Sequence, residues 1–223
     1  MVRSFLFLLA CCLPLSAQDK AAENPEIRFA AERLPKGLGE VVMVAGETQS
    51  DAFRLPKNNL SVAQKAPGRQ FVIVPTGSQT KLATVKLPEA GMDFVVLLVV
   101  GDETSPFRPV VIPAKDASFK PGDVYMVNAS KTKTVLGQVG TTKFVIAPAK
   151  GQVVRPAGAE GEGRFYNVLL GVREATGNKV FSTSRWPVDE RMRSYVFFYD
   201  DPKRKSVDFR AIDEFVPLEK PAG

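Results

Sequence analysis

The side chains that most often carry catalysis and metal binding are scarce in this chain of 223 residues. It contains no histidine, and its only two cysteines are the neighbours Cys11 and Cys12. Without histidine, a Ser-His-Asp or Cys-His arrangement cannot be built, and the usual ligand sets of zinc, copper and haem are missing. We therefore predict no catalytic residue of these types, no metal site and no cofactor.

Carboxylates are the remaining groups that could support acid–base chemistry. Adjacent acids occur at Asp189-Glu190, Asp200-Asp201 and Asp213-Glu214. Because neighbours on a strand point to opposite faces, this spacing does not bring two carboxylates together, and we expect solvated acids at turns or edges. A carboxylate-dependent, carbohydrate-active enzyme stays open as an alternative, since two carboxyls facing each other across a cleft would suffice for glycoside hydrolysis.

The best candidate for a binding surface lies between Ser182 and Tyr199. Its members combine aromatic rings with guanidinium groups, as interface hot spots commonly do, and are Arg185, Trp186, Arg191, Arg193, Tyr195 and Tyr199. Two interpretations are open: an exposed aromatic-cationic patch, or a core Trp beside a central strand that is buried on both faces. We favour the second, because a lone Trp is usually largely buried. Aromatic rings exposed in a row would instead indicate a carbohydrate-binding module.

Short apolar runs between Gly, Pro, Asn and Asp clusters predict the elements that would position these residues. There are fourteen candidate strands and no convincing helical periodicity: Ile27–Ala31, Val41–Val44, Phe71–Val74, Leu82–Val85, Phe94–Val100, Val110–Ile112, Val124–Val127, Val135–Val139, Phe144–Ala147, Val153–Arg155, Phe165–Val172, Val180–Trp186, Tyr195–Tyr199 and Val207–Ala211. Without crossover helices the sheets should be mostly antiparallel. Gly177-Asn178 predicts a hairpin.

Similar strings in the two halves indicate an internal repeat. Gly39–Val44 resembles Gly122–Val127, Phe71–Pro75 resembles Phe144–Pro148, and the order is kept. We predict an all-β chain of two related antiparallel, immunoglobulin-like β-sandwich units, spanning residues 18–115 and 116–223. Chance similarity between two β-domains is the alternative. Whether the units are separate or packed together in one larger core stays open at this point.

Residues 1–17 have the pattern of a secretory signal peptide. Arg3 precedes an apolar run from Phe5 to Leu15, and Ser16-Ala17 gives a small-residue exit, so we place cleavage after Ala17. A lipoprotein box ending at Cys11, with a lipid tether on that cysteine, is our second choice. We expect an exported protein, periplasmic or extracellular, without a transmembrane segment after cleavage.

The formal net charge of +6 is mild and spread along the chain. Nucleic-acid binding would need a basic stripe with interleaved aromatic residues, so we do not predict it. The partner we expect is an envelope protein or a polysaccharide.

The stretch from Pro106 to Phe215 resembles exported bacterial β-sandwich proteins that have no known activity. The resemblance lies in Gly122–Ser130, Ile146–Pro148 and the Ser-Arg-Trp-Pro segment Ser184–Pro187. It implies a cell-envelope setting and no mechanism. Our functional prediction is a non-enzymatic exported protein that acts as an interaction or structural module, with the enzyme and the carbohydrate-binding module as alternatives.

Overall fold

The computed structural model describes residues 24–101, 104–161, 164–201 and 206–216. All regular structure within these ranges is β-strand, which confirms the all-β prediction. The same residues contain no helix that is long and apolar enough to cross a membrane. The predicted signal peptide, its cleavage after Ala17 and the alternative tether at Cys11 lie outside the described residues.

The sixteen strands of the described residues form two sandwich units of eight strands each. The N-terminal unit contains β1 (Glu26–Ala31), β2 (Val41–Ala45), β3 (Thr48–Gln49), β4 (Gln64–Lys65), β5 (Gln70–Pro75), β6 (Ala83–Lys86), β7 (Asp93–Val100) and β8 (Phe107–Pro113). The C-terminal unit contains β9 (Val124–Asn128), β10 (Val135–Val139), β11 (Thr142–Ile146), β12 (Gly151–Val154), β13 (Phe165–Glu174), β14 (Gly177–Pro187), β15 (Met192–Asp201) and β16 (Ser206–Phe215).

The two units have the same topology. Each has an inner sheet, with strand order β4-β1-β7-β8 in the N-terminal unit and β12-β9-β15-β16 in the C-terminal unit. Each also has an outer sheet, β3-β2-β5-β6 and β11-β10-β13-β14. Adding eight to every strand number in the sheets of the N-terminal unit gives the strand orders of the C-terminal unit. Even the exceptional parallel pair recurs, as β1 with β7 and β9 with β15, so the predicted relation between the halves holds at the level of strand order.

The two sandwiches pack against each other through their inner sheets. Each sandwich has its own apolar core between its two sheets. A third core joins the units and includes Val95 and Leu97 from β7 with Tyr195 and Phe197 from β15. The molecule is therefore a stack of four sheets, in which the two inner sheets are covered on both faces.

The repeat was predicted with the wrong correspondence. Val41–Ala45 is β2 of an outer sheet, whereas its predicted counterpart is β9 of an inner sheet, which is topologically equivalent to β1. Phe71 likewise lies on β5 and its predicted counterpart Phe144 on β11. The strings resemble each other because buried strands of any sheet draw on the same few apolar residues, so short matches do not identify equivalent strands.

The sequence did not predict two of the strands, and it predicted one turn at the wrong residues. β3 and β4 have two residues each, all polar, so they carry no apolar pattern to detect. The predicted hairpin joins β13 and β14, but Glu174 pairs with Gly177, so the two loop residues are Ala175 and Thr176. Gly177 has a positive φ of 130°, and Asn178 does not have a positive φ.

Candidate binding cleft

The six predicted site residues do not form one exposed surface. Arg193 and Tyr195 are buried, at 7% and 0% exposure, on the face of β15 that meets the inner sheet of the other unit. Tyr199 is half-buried further along the same face, and Trp186 is half-buried against the C-terminal core. Arg185 and Arg191 are exposed. β15 is thus a central strand buried on both faces, which is the interpretation that the sequence favoured.

Arg193 and Tyr195 belong to a buried ionic cluster between the two units. The carboxylate of Glu214, 8% exposed, accepts hydrogen bonds from Arg193 Nη2 at 2.8 Å and from Tyr195 Oη at 2.7 Å. Its other oxygen pairs with Arg28 of β1. Arg193 also donates to the carbonyl oxygen of Ala114 at 2.6 Å. The expectation that Glu214 is a solvated edge acid is wrong, because a second sandwich covers this part of the sheet.

The surroundings of Glu214 keep its carboxylate charged. Burial raises its pKa, but the hydrogen bond from Tyr195 and the charges of Arg28 and Arg193 outweigh that effect, so the pKa lies below its ordinary value. Burial, followed by the negative charge of Glu214, raises the pKa of Tyr195, which stays protonated and can donate. We therefore assign this cluster to the joining of the two units, because none of its carboxylate oxygens is left for a ligand.

A cleft of about 430 Å³ opens at one end of the C-terminal sandwich, between its inner and outer sheets. Ser194, Val196, Ala211 and Asp213 of the inner sheet form one wall. Tyr166 and Trp186 of the outer sheet form the other wall. Met192, the first residue of β15, and loop residues that include Asp123, Asp189 and Glu190 complete the rim. Of the six predicted site residues, Trp186 is the one that lines this cleft. Its volume falls in the usual range for small-ligand sites, roughly 300–1,000 Å³.

The cleft exists because the equivalent strands of the two units carry different side chains. In the N-terminal inner sheet, Phe94 pairs with Pro113 at the start of β7. At the equivalent place in the C-terminal inner sheet, Ser194 pairs with Asp213. Phe94 is 1% exposed and fills its end of the N-terminal core. A serine at this position leaves space between the sheets that a phenyl ring would occupy.

Three of the four acids that line the cleft are neutralised by an arginine. Arg155 makes two bonds of 2.7 Å to Asp123, Arg164 Nη2 lies 3.1 Å from Glu190 Oε1, and Arg191 Nε lies 3.3 Å from Asp189 Oδ1. These partners are Arg155, Arg164 and Arg191, and none of them lines the cleft. Within the described residues, Asp213 has no Lys or Arg partner and accepts a bond only from Ser194 Oγ, at 2.6 Å.

The pKa shifts of Asp123 and Asp189 favour charged carboxylates. Burial raises the pKa of Asp123, but the bonds from Arg155 and from the Lys120 amide more than compensate and lower it overall. The pKa of Asp189 is lowered by hydrogen bonds from the backbone and side chain of Arg191. Both groups are thus acceptors at neutral pH, and neither is a proton donor. Among the described residues, no three acids lie close enough together to hold a metal ion.

Sequence reasoning found part of this cleft. It singled out Trp186 as a binding residue and noted Asp213 and Asp189 as members of acid pairs, without placing them together. It missed Tyr166 and Ser194, which lie on β13 and β15 and carry no distinctive spacing. Their common property is that they line the space between two sheets, which depends on sheet packing.

The sequence matches no protein-family model, and no curated protein is significantly similar to it.

Proposed function

We propose that this is an exported, non-enzymatic interaction protein that binds its ligand in the cleft of the C-terminal sandwich. The observation that carries the proposal is the cleft itself. Two half-buried aromatic rings, Tyr166 and Trp186, line it together with Asp213, whose carboxylate has no Lys or Arg partner in the part of the chain that the structure describes. Apolar walls with a few polar groups are typical of sites that hold small ligands or single side chains of a partner.

The shape of the molecule supports binding in preference to catalysis. An apolar core and the buried cluster around Glu214 join the two inner sheets. One wall of the cleft therefore belongs to a sheet that is packed on both faces. Glycoside hydrolysis would need one carboxyl that is protonated at working pH. The pKa values of Asp123 and Asp189 are shifted in the opposite direction, which disfavours the enzyme alternative.

The proposed setting is the cell envelope or the medium, as the pattern of residues 1–17 predicts. We expect the full chain, expressed in a bacterial host, to appear in the periplasmic or secreted fraction with its N-terminus at Gln18. Mass spectrometry of the purified protein tests this, and Cys11→Ala separates the two forms of export. If that variant leaves processing unchanged, a lipid tether is excluded, whereas lipidated Cys11 at the N-terminus would replace the cleavage site that we propose.

Ligand binding in the cleft is tested with the purified protein and panels of peptides, oligosaccharides and small amines, by the rise in melting temperature on binding. We expect at least one panel member to stabilise the wild type and to lose its effect on Ala211→Phe, which fills the cleft from an exposed position. A matched control is Thr183→Phe, an exposed site on the outer sheet. Binding that is equal in both variants and the wild type would refute the cleft as the site.

A further inference from the structure

We propose that the ligand of the cleft is an organic cation, a guanidinium or ammonium group held between the carboxylate of Asp213 and the rings of Trp186 and Tyr166. This inference rests on the proposed function, because it names the ligand class of the same cleft. It is argued from charge, from hydrogen-bonding capacity and from the aromatic wall.

The charge inside the cleft is opposite to that of the whole chain. The formal net charge is +6, with 30 Lys and Arg against 24 Asp and Glu. The lining nevertheless includes Asp123, Asp189, Glu190 and Asp213, and no Lys or Arg of the described residues. Three of these acids are offset by arginines outside the cleft, so the excess negative charge is that of Asp213. A concave site with an excess of one sign of charge raises the local concentration of ligands of the other sign.

Asp213 is the acid best placed to take a cationic partner. The other three already bind arginines that approach from outside the cleft, such as Arg155, whose side chain is 62% exposed. Asp213 is itself exposed, and among the described residues its side chain is bonded only to the neutral hydroxyl of Ser194. A carboxylate has room for several donors, so both of its oxygens can receive N–H groups from a guanidinium.

The hydrogen-bonding capacity of the lining distinguishes a cation from a sugar. Carboxylate oxygens only accept, and Ser194 Oγ already donates to Asp213. A saccharide hydroxyl needs donors as well as acceptors, and the lining offers few side-chain donors, chiefly the Tyr166 hydroxyl and the Trp186 indole N–H. Guanidinium and ammonium groups carry donors alone, so they match a wall of acceptors.

The aromatic wall and the apolar floor suit such a ligand. The face of an aromatic ring is negative and attracts cations, Trp most strongly. Val196 and Val124 lie deeper between the sheets, buried at 0% and 5% exposure. They would contact the methylene groups that carry the charge in a lysine or arginine side chain.

The test is calorimetric titration of the purified protein at about 20 mM and about 150 mM salt, where screening should weaken a charged ligand. The probes are butylguanidine and butylamine as free cations, a blocked Gly-Gly-Arg-Gly-Gly peptide, cellohexaose and calcium chloride. We expect one or more of the organic cations to bind at one site. Stronger binding of the peptide than of butylguanidine would identify a polypeptide as the source of the cation, and the reverse would identify a free amine.

Asp213→Asn keeps the shape of the cleft and removes its uncompensated charge, so cation binding should weaken at least tenfold. Glu89→Gln is the matched control, because Glu89 is exposed at the corresponding end of the N-terminal sandwich and should leave binding unchanged. Melting curves verify that both variants fold.

Four results would overturn the inference. Cellohexaose binding that Ala211→Phe abolishes, without cation binding, would refute the cation and leave the proposed function intact. Calcium binding that Asp213→Asn abolishes would replace the organic cation with a metal. If every probe binds with a Kd in the millimolar range or weaker, the cation is refuted at this site. Cation binding that is equal in wild type and Asp213→Asn would refute it as well. In either case the panel experiment described under the proposed function decides that function separately.

Discussion

The two sandwiches have the same strand order in their sheets, yet they differ at one end. There the two sheets of the N-terminal unit enclose a packed core, whereas the two sheets of the C-terminal unit leave a cleft between them. At the start of β7 the N-terminal core ends in the buried ring of Phe94, and Leu87 beyond β6 is buried at 3% exposure. At the start of β15 the same position is Ser194, and the sheets enclose a cleft lined by Trp186. The difference shows that a fold repeated within one chain can supply a scaffold in one copy and a site in the other.

The contact between the inner sheets shows a second asymmetry. The equivalents of Tyr195 and Glu214 in the N-terminal unit are Val95 and Ala114, since Val95 pairs with Ile112 as Tyr195 pairs with Ile212. The C-terminal unit therefore contributes the buried carboxylate, while the N-terminal unit contributes Arg28 and a carbonyl oxygen. Each unit completes the polar bonding of the other, which favours a fixed mutual orientation.

The largest effect on stability is expected from removing the buried ring at the packed end of the N-terminal sandwich. Phe94→Ala should lower the free energy of unfolding by about 3–5 kcal/mol, because it removes a fully buried ring from a packed core. Ser194→Ala, at the equivalent position, should cost less than about 1.5 kcal/mol, the loss of one exposed hydrogen bond. Urea denaturation of both variants measures the difference, and similar losses would mean that the two ends are not packed differently.

Removing the carboxylate between the units should have the next largest effect. Glu214→Ala leaves the guanidinium of Arg193, 8% exposed at its side chain, without its counter-charge. We expect the free energy of unfolding to fall by about 3 kcal/mol, because an unpaired buried charge is costly. The neighbouring Asp213→Ala is the control and should change it by no more than about 0.5 kcal/mol. Equal effects in the two variants would contradict the assigned role of the cluster.

Two buried glutamates, Glu214 on β16 and Glu32 directly after β1, should respond to pH with opposite signs. The pKa of Glu214 is lowered, so the stability that it contributes is present above its ordinary value of 4.5 and is lost as pH falls through the folded-state pKa. Burial raises the pKa of Glu32, which accepts a bond from the Val100 amide at 3.0 Å. The folded state thus holds that proton more tightly, and stability is lost as pH rises above 4.5.

Denaturation of Glu214→Gln and Glu32→Gln between about pH 3 and pH 7 tests these signs. Relative to the wild type, Glu214→Gln should become less stable as pH rises, and Glu32→Gln should become more stable. Parallel curves for the two variants would contradict the assignment.

The smallest effect on stability is expected from partly closing the cleft. Ala211 is exposed and is the equivalent of Val111, since each lies two residues before the partner of Ser194 or Phe94 on its strand. Ala211→Val should change the free energy of unfolding by about 0.5 kcal/mol or less. It should nevertheless weaken binding of the cationic probe, because the added methyl groups occupy the cleft. Unchanged affinity would place the ligand away from the inner-sheet wall.

The sequence alone determined all but the two shortest of the described strands, and it determined the kinds of chemistry that are available. All fourteen predicted strands correspond to strands of the structure, because alternation and apolar runs are local properties of the chain. The two-faced character of β15 was readable in the same way, from five consecutive apolar and aromatic residues between Tyr195 and Tyr199. The lack of histidine follows directly from composition.

Only the tertiary structure decided which strands are equivalent, which acids are buried and where a cleft opens. Each depends on residues far apart in the chain, such as Arg28, which pairs with Glu214, or Trp186 and Asp213, which line one cleft from two different sheets. Asp213 and Glu214 are adjacent and chemically alike, yet one faces the cleft and the other lies between the sandwiches. Their environments differ because successive side chains on a strand point to opposite faces, and the packing of the sheets sets what each face meets.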